Sequence, residues 1–353
     1  MLDYLIVGQG IAGSVLAYCL KKQGYKVMVV DDNHPQSSSK VAAGIFNPIT
    51  GKKLVKSWKV DDLFALVHTF YPTLEKELNA NFYFPMEIVK PIQSIEEQNL
   101  FISKSGNPDW SGYVEVLFPE TEYASYLHTE EGGARLKQGG WVDAKALVNA
   151  FCTYFAQEKM YVQACFLYED LVLHDEYVLW HEHKAKKVIF CEGYKVLQNP
   201  YFSWLPLRTT KGEQLIIQAD LPEQKMINKG VFILPKGDKK FLVGATFDLT
   251  EVNSITEKGK RQLTEKLEKL IRVPYEIVDH FSGIRPTVVD RKPIIGNHPT
   301  HTQLAVFNGL GTKGISLSPY FAQQYIQYLQ GNSALNKEVM IERYYDKFYY
   351  KKA

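Results

Sequence analysis

Tyr4-Leu5-Ile6-Val7-Gly8-Gln9-Gly10-Ile11-Ala12-Gly13-Ser14 is an apolar run that feeds a glycine turn, and the turn opens a helix. Beyond it, Ala12, Val15, Leu16, Cys19 and Leu20 repeat at the i, i+3, i+4 spacing of a buried helical stripe. Lys21 and Lys22 fall in the last turn, where cations suit the helix dipole, and Gly24 offers a left-handed cap. Val27-Met28-Val29-Val30 reads as a second strand and ends on Asp31 and Asp32. Strand, glycine turn, helix and acid-ended strand together make a dinucleotide-binding fingerprint. Gly8 allows the tight turn. Gly10 lets the backbone approach a pyrophosphate where Ile11 and Ala12 open the helix, and Gly13 lets helix and strand pack closely. Asp31 is placed to accept hydrogen bonds from an adenosine ribose, with Asp32 beside it. The plainer reading of the same glycines is an ordinary turn in an α/β unit.

The chain has 353 residues, enough for two domains and a sizeable core. Hydrophobic residues make up 45% and charged residues 23%, ordinary values for a globular protein, and a net charge of +2 does not mark a nucleic-acid binder. Cys19, Cys152, Cys165 and Cys191 form no CxxC pair, so no metal site is expected. The cysteine usage suits a reducing compartment. The apolar start lacks the basic region of a signal peptide, and its glycines and Gln9 spoil a spanning helix. A cytoplasmic location and no membrane partner are expected.

Working outward, Asn33 to Lys40 reads as a polar loop in which Ser39 and Lys40 are candidates for phosphate oxygens. Ala42-Ala43-Gly44 permits close backbone approach to a ligand. Val60, Leu63, Phe64, Val67, Phe70, Tyr71, Leu74 and Leu78 predict a long amphipathic helix. From Phe82 the pattern turns to strands, expected at 82–92, 98–103 and 112–117. Asp143 caps a helix whose face is Ala144, Leu147, Val148, Phe151 and Phe155. Segments 160–180 and 187–191 alternate as strands. The run Val188 to Cys191, followed by Glu192 and Gly193, ends where an α/β sheet binds ligands. Strands are expected again at 213–218, 230–234 and 240–244, then a helix bearing Leu263, Leu267, Leu270 and Ile271. The most informative later stretches are Gly283-Ile284-Arg285-Pro286-Thr287 and Asn308-Gly309-Leu310-Gly311-Thr312-Lys313-Gly314-Ile315. The second opens a helix to about Leu329. The Tyr- and Lys-rich tail from Arg343 reads as a surface amphipathic helix. The fold class expected is α/β: a Rossmann-type domain (1–80, 140–204 and 275–353) interleaved with an α+β domain on a mostly antiparallel sheet (81–139 and 205–274).

These stretches together resemble the D-amino-acid oxidase family of flavoproteins, in its glycine oxidase and sarcosine oxidase branch. The resemblance runs from Gly8 to Gly314. It also takes in Thr210-Lys211-Gly212-Glu213-Gln214, Val243-Gly244-Ala245-Thr246 and Asp290-Arg291-Lys292-Pro293-Ile294-Ile295-Gly296. It implies FAD as cofactor and oxidation of the C–N bond of a small amine or amino acid. By the same resemblance Arg285 holds a substrate carboxylate, for which the guanidinium fork has the matching shape. A competing role for Arg285 is a structural pair with a nearby acid such as Asp290. The turn from Gly309 to Gly314 aims a helix N-terminus at the flavin pyrimidine ring if it lies as the family implies, with Gly311, Thr312, Lys313 and Ile315 around it. Where the family often has a carboxylate-binding tyrosine, this chain has Phe232, which has no O–H to donate. Phe232 fits a pocket wall or a sheet core, and Phe247 is a similar candidate. The stretch Asn308 to Gly314 also looks like the flavin domain of the bifunctional tRNA-modifying enzyme of bacteria. That likeness makes oxidation of a carboxymethylaminomethyl group on tRNA the alternative. A flavin-binding redox sensor without turnover is a third reading, against which Arg285 stands.

Overall fold

The computed structural model describes residues 1–51, 54–118, 123–129, 131–250 and 252–351. Strand Leu2–Val7 pairs in parallel with Val27–Asp31 on one side and His183–Phe190 on the other. Tyr161–Gln163 extends the sheet beyond Val27–Asp31, and Leu304–Asn308 lies parallel to the end of His183–Phe190. Parallel strands need cover on both faces. Helix Ile11–Lys22 supplies part of it and is itself enclosed, since every residue from Ala12 to Leu20 is buried. Helix Gly314–Leu329 packs beside it, and helix Ala144–Gln157 is capped by Asp143, whose Oδ1 accepts the Ala146 N–H at 3.0 Å. The expected N-terminal unit, the helix at 60–78 and the helix after the second glycine turn are all present.

The second sheet runs in the order Tyr275–Val288, Leu207–Ala219, Lys240–Gly244, Val231–Gly237, Met226–Lys229, Ile88–Pro91, Gly133–Leu136, Val114–Phe118. It is antiparallel except where Met226–Lys229 meets Ile88–Pro91. Its spine is the long pairing of Leu207–Ala219 with Tyr275–Val288. This pairing corrects the expected boundary at 275, because the strand to Val288 belongs to the antiparallel sheet. The segment 82–92 also divides. Tyr83–Pro85 joins a small sheet with Gly140–Val142 and Ile45–Phe46, and Ile88–Pro91 joins the large one.

The expected strand at 98–103 is a helix, Ile95–Ser105. Ser94 Oγ accepts the Glu97 N–H and Glu97 Oε2 accepts the Gln93 N–H just before the cap, so Ser94 caps a helix whose one buried residue is Phe101. The helix at 257–268 ends before Leu270 and Ile271, which pack just beyond it. The tail is a short 3-10 turn at 341–344 followed by a wide turn at 345–349 rather than a regular amphipathic helix. No helix among the described residues is long and apolar enough to cross a membrane.

Candidate functional site

A cavity of about 700 Å³ runs between the two large sheets. Its first wall is the glycine turn. Gly8 has φ +101°, and a Cβ there would meet the Cys191 carbonyl oxygen at 2.6 Å. A Cβ on Gly13 would strike the Gly8 carbonyl, so this glycine packs helix against turn and does not itself line the cavity. Gly10 lines it, opposite Ser39, whose Oγ accepts the Ile11 N–H at 3.0 Å. Buried Gln9 stitches the turn down, its Nε2 donating to Ser14 Oγ at 3.0 Å and to the Val148 carbonyl at 2.8 Å. Asp31 Oδ2 accepts the Gln9 N–H at 2.7 Å and Oδ1 accepts the Asn33 N–H at 2.6 Å. Asp32 pairs with Lys195 at 2.7 Å. Both acids line the cavity.

Glu192 also lines it, accepting from Tyr168 Oη at 2.7 Å and Asn199 Nδ2 at 2.8 Å. Burial pushes its carboxyl up to about 7 against those two bonds and Lys195. Ala43, Gly44, Cys191 and Gly193 line the same cavity. Lys40 does not. Its ammonium turns to the Asn33 carbonyl and side chain, so it is not placed for a ligand phosphate.

The second wall is the turn before helix Gly314–Leu329. Gly309 and Gly311 take φ of +75° and +57°, which glycine adopts without strain. Gly309 packs on Val288 behind the wall, while Gly311, Thr312, Lys313, Gly314 and Ile315 line it. The Ile315 carbonyl accepts from Tyr71 Oη at 2.7 Å, fixing the helix start against helix Val60–Leu78. Burial, with Arg291 nearby, lowers the Lys313 ammonium below its ordinary value.

The floor is the antiparallel sheet, and three glycines make room on it. A side chain on Gly212 would overlap the Arg285 guanidinium. One on Gly244 would meet Phe232 Cζ at 2.7 Å, and one on Gly283 would overlap Val41. Arg285 therefore lies over Gly212, and Phe232 lies over Gly244. Both line the cavity, which makes Phe232 a wall of it. Arg285 Nη1 donates to the Thr246 carbonyl at 3.3 Å. Among the described residues the guanidinium has no acidic partner. Asp290 is taken by Arg343, Nε to Oδ2 at 3.0 Å. This removes the competing role for Arg285 and leaves a half-buried cation facing a cavity. Burial lowers its basicity in direction.

Phe247 is not part of the site. It is 61% exposed, and its neighbour Asp248 bridges Lys211 just beyond the end of strand Lys240–Gly244. The outer face of the floor strand is anchored by fully buried Glu213. Lys211 Nζ lies 2.8 Å and His280 Nε2 2.8 Å from its carboxylate, which also accepts the Thr256 N–H at 2.9 Å and Thr256 Oγ1 at 2.8 Å. The cavity-lining residues that the sequence reading did not name as site candidates include Phe46, Phe64, Gln214 and Asn228.

A glycine cradle, an acid-ended strand and two helix N-termini facing one cavity define a Rossmann-type dinucleotide-binding oxidoreductase. The chain belongs to the FAD dependent oxidoreductase family, whose model matches residues 3–327. It is 25% identical to the glycine oxidase of Pseudomonas putida over 363 residues, covering 93% of this chain and 94% of that protein. It is 22% identical to the tRNA 5-methylaminomethyl-2-thiouridine biosynthesis bifunctional protein of Leptospira interrogans over 364 residues, 88% of this chain. It covers 54% of that protein, so it spans about half the length of such relatives. Among solved structures, glycine oxidase from Geobacillus kaustophilus superposes with a TM-score of 0.79 at 21% identity, covering 95% of this chain and 98% of that one. Iminodiacetate oxidase from Chelativorans gives 0.73 at 20% identity, covering 97% and 98%. The chain is thus an FAD-dependent enzyme. The cavity fits the group: close backbone approach at Gly8 and Gly10, an acid lining it at the end of strand Val27–Asp31 and a helix N-terminus at either wall.

Proposed function

We propose that the substrate is an amine or amino acid carrying a carboxylate, oxidised at its C–N bond. The observation that carries this reading is Arg285, a cation without an acidic partner among the described residues, laid over Gly212 on the cavity floor. An unpaired buried charge is costly, and an incoming carboxylate relieves that cost through two charge-assisted hydrogen bonds. Gly8, Gly10, Ile11, Ser39 and Asp31 would hold the pyrophosphate and adenosine parts of FAD. Thr312 to Ile315 would face its ring with the positive end of a helix dipole. FAD supplies the two-electron acceptor for the hydride leaving the carbon next to nitrogen, and the resulting imine hydrolyses in water.

The protein's part is positioning. Arg285 fixes the carboxylate and so the α-carbon, and Phe232 keeps water from the wall beside it. The acids and the histidine lining the cavity come from segments 30–39, 164–169 and 191–198, around the carboxyl end of strand Val27–Asp31. Among the described residues none comes from the floor sheet, and the amine reacts in its neutral form. The test is anaerobic bleaching of the bound flavin by glycine, sarcosine, D-amino acids, proline and carboxymethylaminomethyl-modified tRNA. Bleaching by a carboxylate-bearing amine that is lost in Arg285→Leu supports the reading. Bleaching that Arg285→Leu leaves unchanged overturns it.

The second reading, oxidation of a carboxymethylaminomethyl group on tRNA, is favoured by the likeness to the tRNA-modifying relatives over 88% of this chain. It needs Arg285 equally. Its own mark is binding that weakens steeply with salt, because phosphates release counterions on binding.

A further inference from the structure

Asn228 sits on strand Met226–Lys229, lines the cavity, and its carboxamide makes no hydrogen bond among the described residues. The sheet register fixes where it lies relative to Arg285. Asn228 pairs with Phe232, Phe232 with Gly244, and Gly244 with Gln214, so these four form one row across the floor. Gly212, with the Arg285 guanidinium above it, stands two residues along the strand from Gln214. Three strand steps at ~4.8 Å and two residues at ~3.4 Å therefore separate the free carboxamide from the guanidinium, about 16 Å across the floor. Phe232 lies between them, and Phe46 and Phe64 line the same cavity. From the guanidinium the row passes Gln214, whose Nε2 donates to the Val41 carbonyl at 2.9 Å, and then Phe232, so a cation and an uncharged donor-acceptor group stand at the two ends of a single floor. The carboxylate and amine of a free amino acid are two bonds apart and reach only the first of these.

We propose that Asn228 is a specificity-determining residue at the far end of the substrate chamber. It hydrogen-bonds an uncharged polar group on the nitrogen substituent of an N-substituted glycine whose carboxylate is held by Arg285. This deepens the amine-oxidation reading and rests on it. Such a glycine is either a free metabolite or a group carried on a macromolecule, and the chemistry at Asn228 is the same for both. A carboxamide offers one donor side and one acceptor side, so it matches an amide or imide edge and rejects an apolar group of equal shape by leaving its own atoms unpaired.

The test uses the flavin-loaded protein and two non-oxidisable probes, (carbamoylmethylthio)acetate and (isobutylthio)acetate, with binding followed by calorimetry. The two share a carboxylate and a sulfur in place of the amine and differ only in the polarity of their far ends. The expected wild-type preference for the carbamoyl probe is roughly tenfold, the size of one buried neutral hydrogen bond. Asn228→Leu should abolish that preference and leave the isobutyl probe within about twofold, whereas Arg285→Leu should weaken both. Equal affinities in wild type, or a preference that survives Asn228→Leu, overturn the assignment. Because neither probe is oxidised, these results stand apart from turnover. Failure of every carboxylate-bearing amine to bleach the flavin would instead refute the reading beneath it. A parallel titration with modified tRNA separates the two sources: Asn228→Leu weakening tRNA binding together with that of the carbamoyl probe identifies the macromolecule-borne group, and tRNA binding that it leaves unchanged while the probe preference is lost identifies a free metabolite.

Discussion

Gly212→Ala is the sharpest probe of the carboxylate clamp, because it touches neither the charge nor the cofactor. The added methyl would overlap Nη2, Cζ and Nη1 of Arg285 together. Those atoms are one rigid plane, so the guanidinium must lift as a whole. Gly212 is an ordinary extended residue paired with Gly283, so the backbone accepts alanine without strain. A displacement of about 1 Å in a positioning group costs on the order of a hundredfold in rate, near 2.7 kcal/mol. Removing the fork altogether with Arg285→Leu should cost about 3–5 kcal/mol, several hundredfold or more. The expected order of kcat/KM on a carboxylate-bearing amine is therefore wild type, then Gly212→Ala, then Arg285→Leu, with the flavin spectrum unchanged throughout. Gly283→Ala is the control. Its methyl would press on Val41 and leave the guanidinium untouched, so it should fall much closer to wild type. Wild-type kcat/KM in Gly212→Ala beside a crippled Arg285→Leu would show that the guanidinium works from another place. Wild-type values in both would remove the clamp.

Gly13→Val should leave little bound flavin after purification, since its side chain strikes the Gly8 carbonyl. Chromatography of flavin released from the wild type should give FAD, and finding FMN would contradict the adenosine role of Asp31. Glu192 should give stability a pH slope. Between its ordinary 4.5 and about 7 the folded protein keeps a proton that the unfolded chain has lost, so stability falls as pH rises through that window and is level above it. Melting curves of Glu192→Gln should lack that fall, and an identical slope in both proteins would refute the assignment. Glu213→Ala leaves Lys211 buried without its carboxylate and uncaps the Thr256 contact, so urea unfolding should show a loss of about 3–5 kcal/mol. A loss below 1 kcal/mol would mean the network is structurally idle.

The nucleotide-binding half was legible because its signals are local: a strand, a glycine turn and a helical stripe within thirty residues. The helix at 95–105 was missed although Ser94 and Glu97 spell a capping box, because the short run Leu100-Phe101-Ile102 also reads as a strand. Lys40 and Phe247 were misjudged for a different reason. A side chain's direction depends on partners that no motif names, Asn33 across the same loop for one and the Lys211 bridge for the other. Arg285 could be named from its motif. That Asp290 is already engaged by Arg343 could not, because the two are 53 residues apart. Asn228 carries no motif at all, and only the register across four strands brings it to the cavity floor.

The strand order of the parallel sheet also governs how this protein is made. Leu2–Val7 is a central strand, yet one of its neighbours is His183–Phe190, and that strand in turn waits for Leu304–Asn308. A ribosome adding about 5–20 residues per second needs on the order of 15–60 s to reach the last of these. Throughout that interval an apolar strand lacks its partner, and half of the flavin cradle lacks the Gly309–Gly314 turn. The two halves of the cradle therefore meet only late in synthesis, and the nascent chain passes through a long stage with an open, aggregation-prone sheet edge. Riboflavin supply should then influence how much of the finished protein survives, and not only how much of it is active.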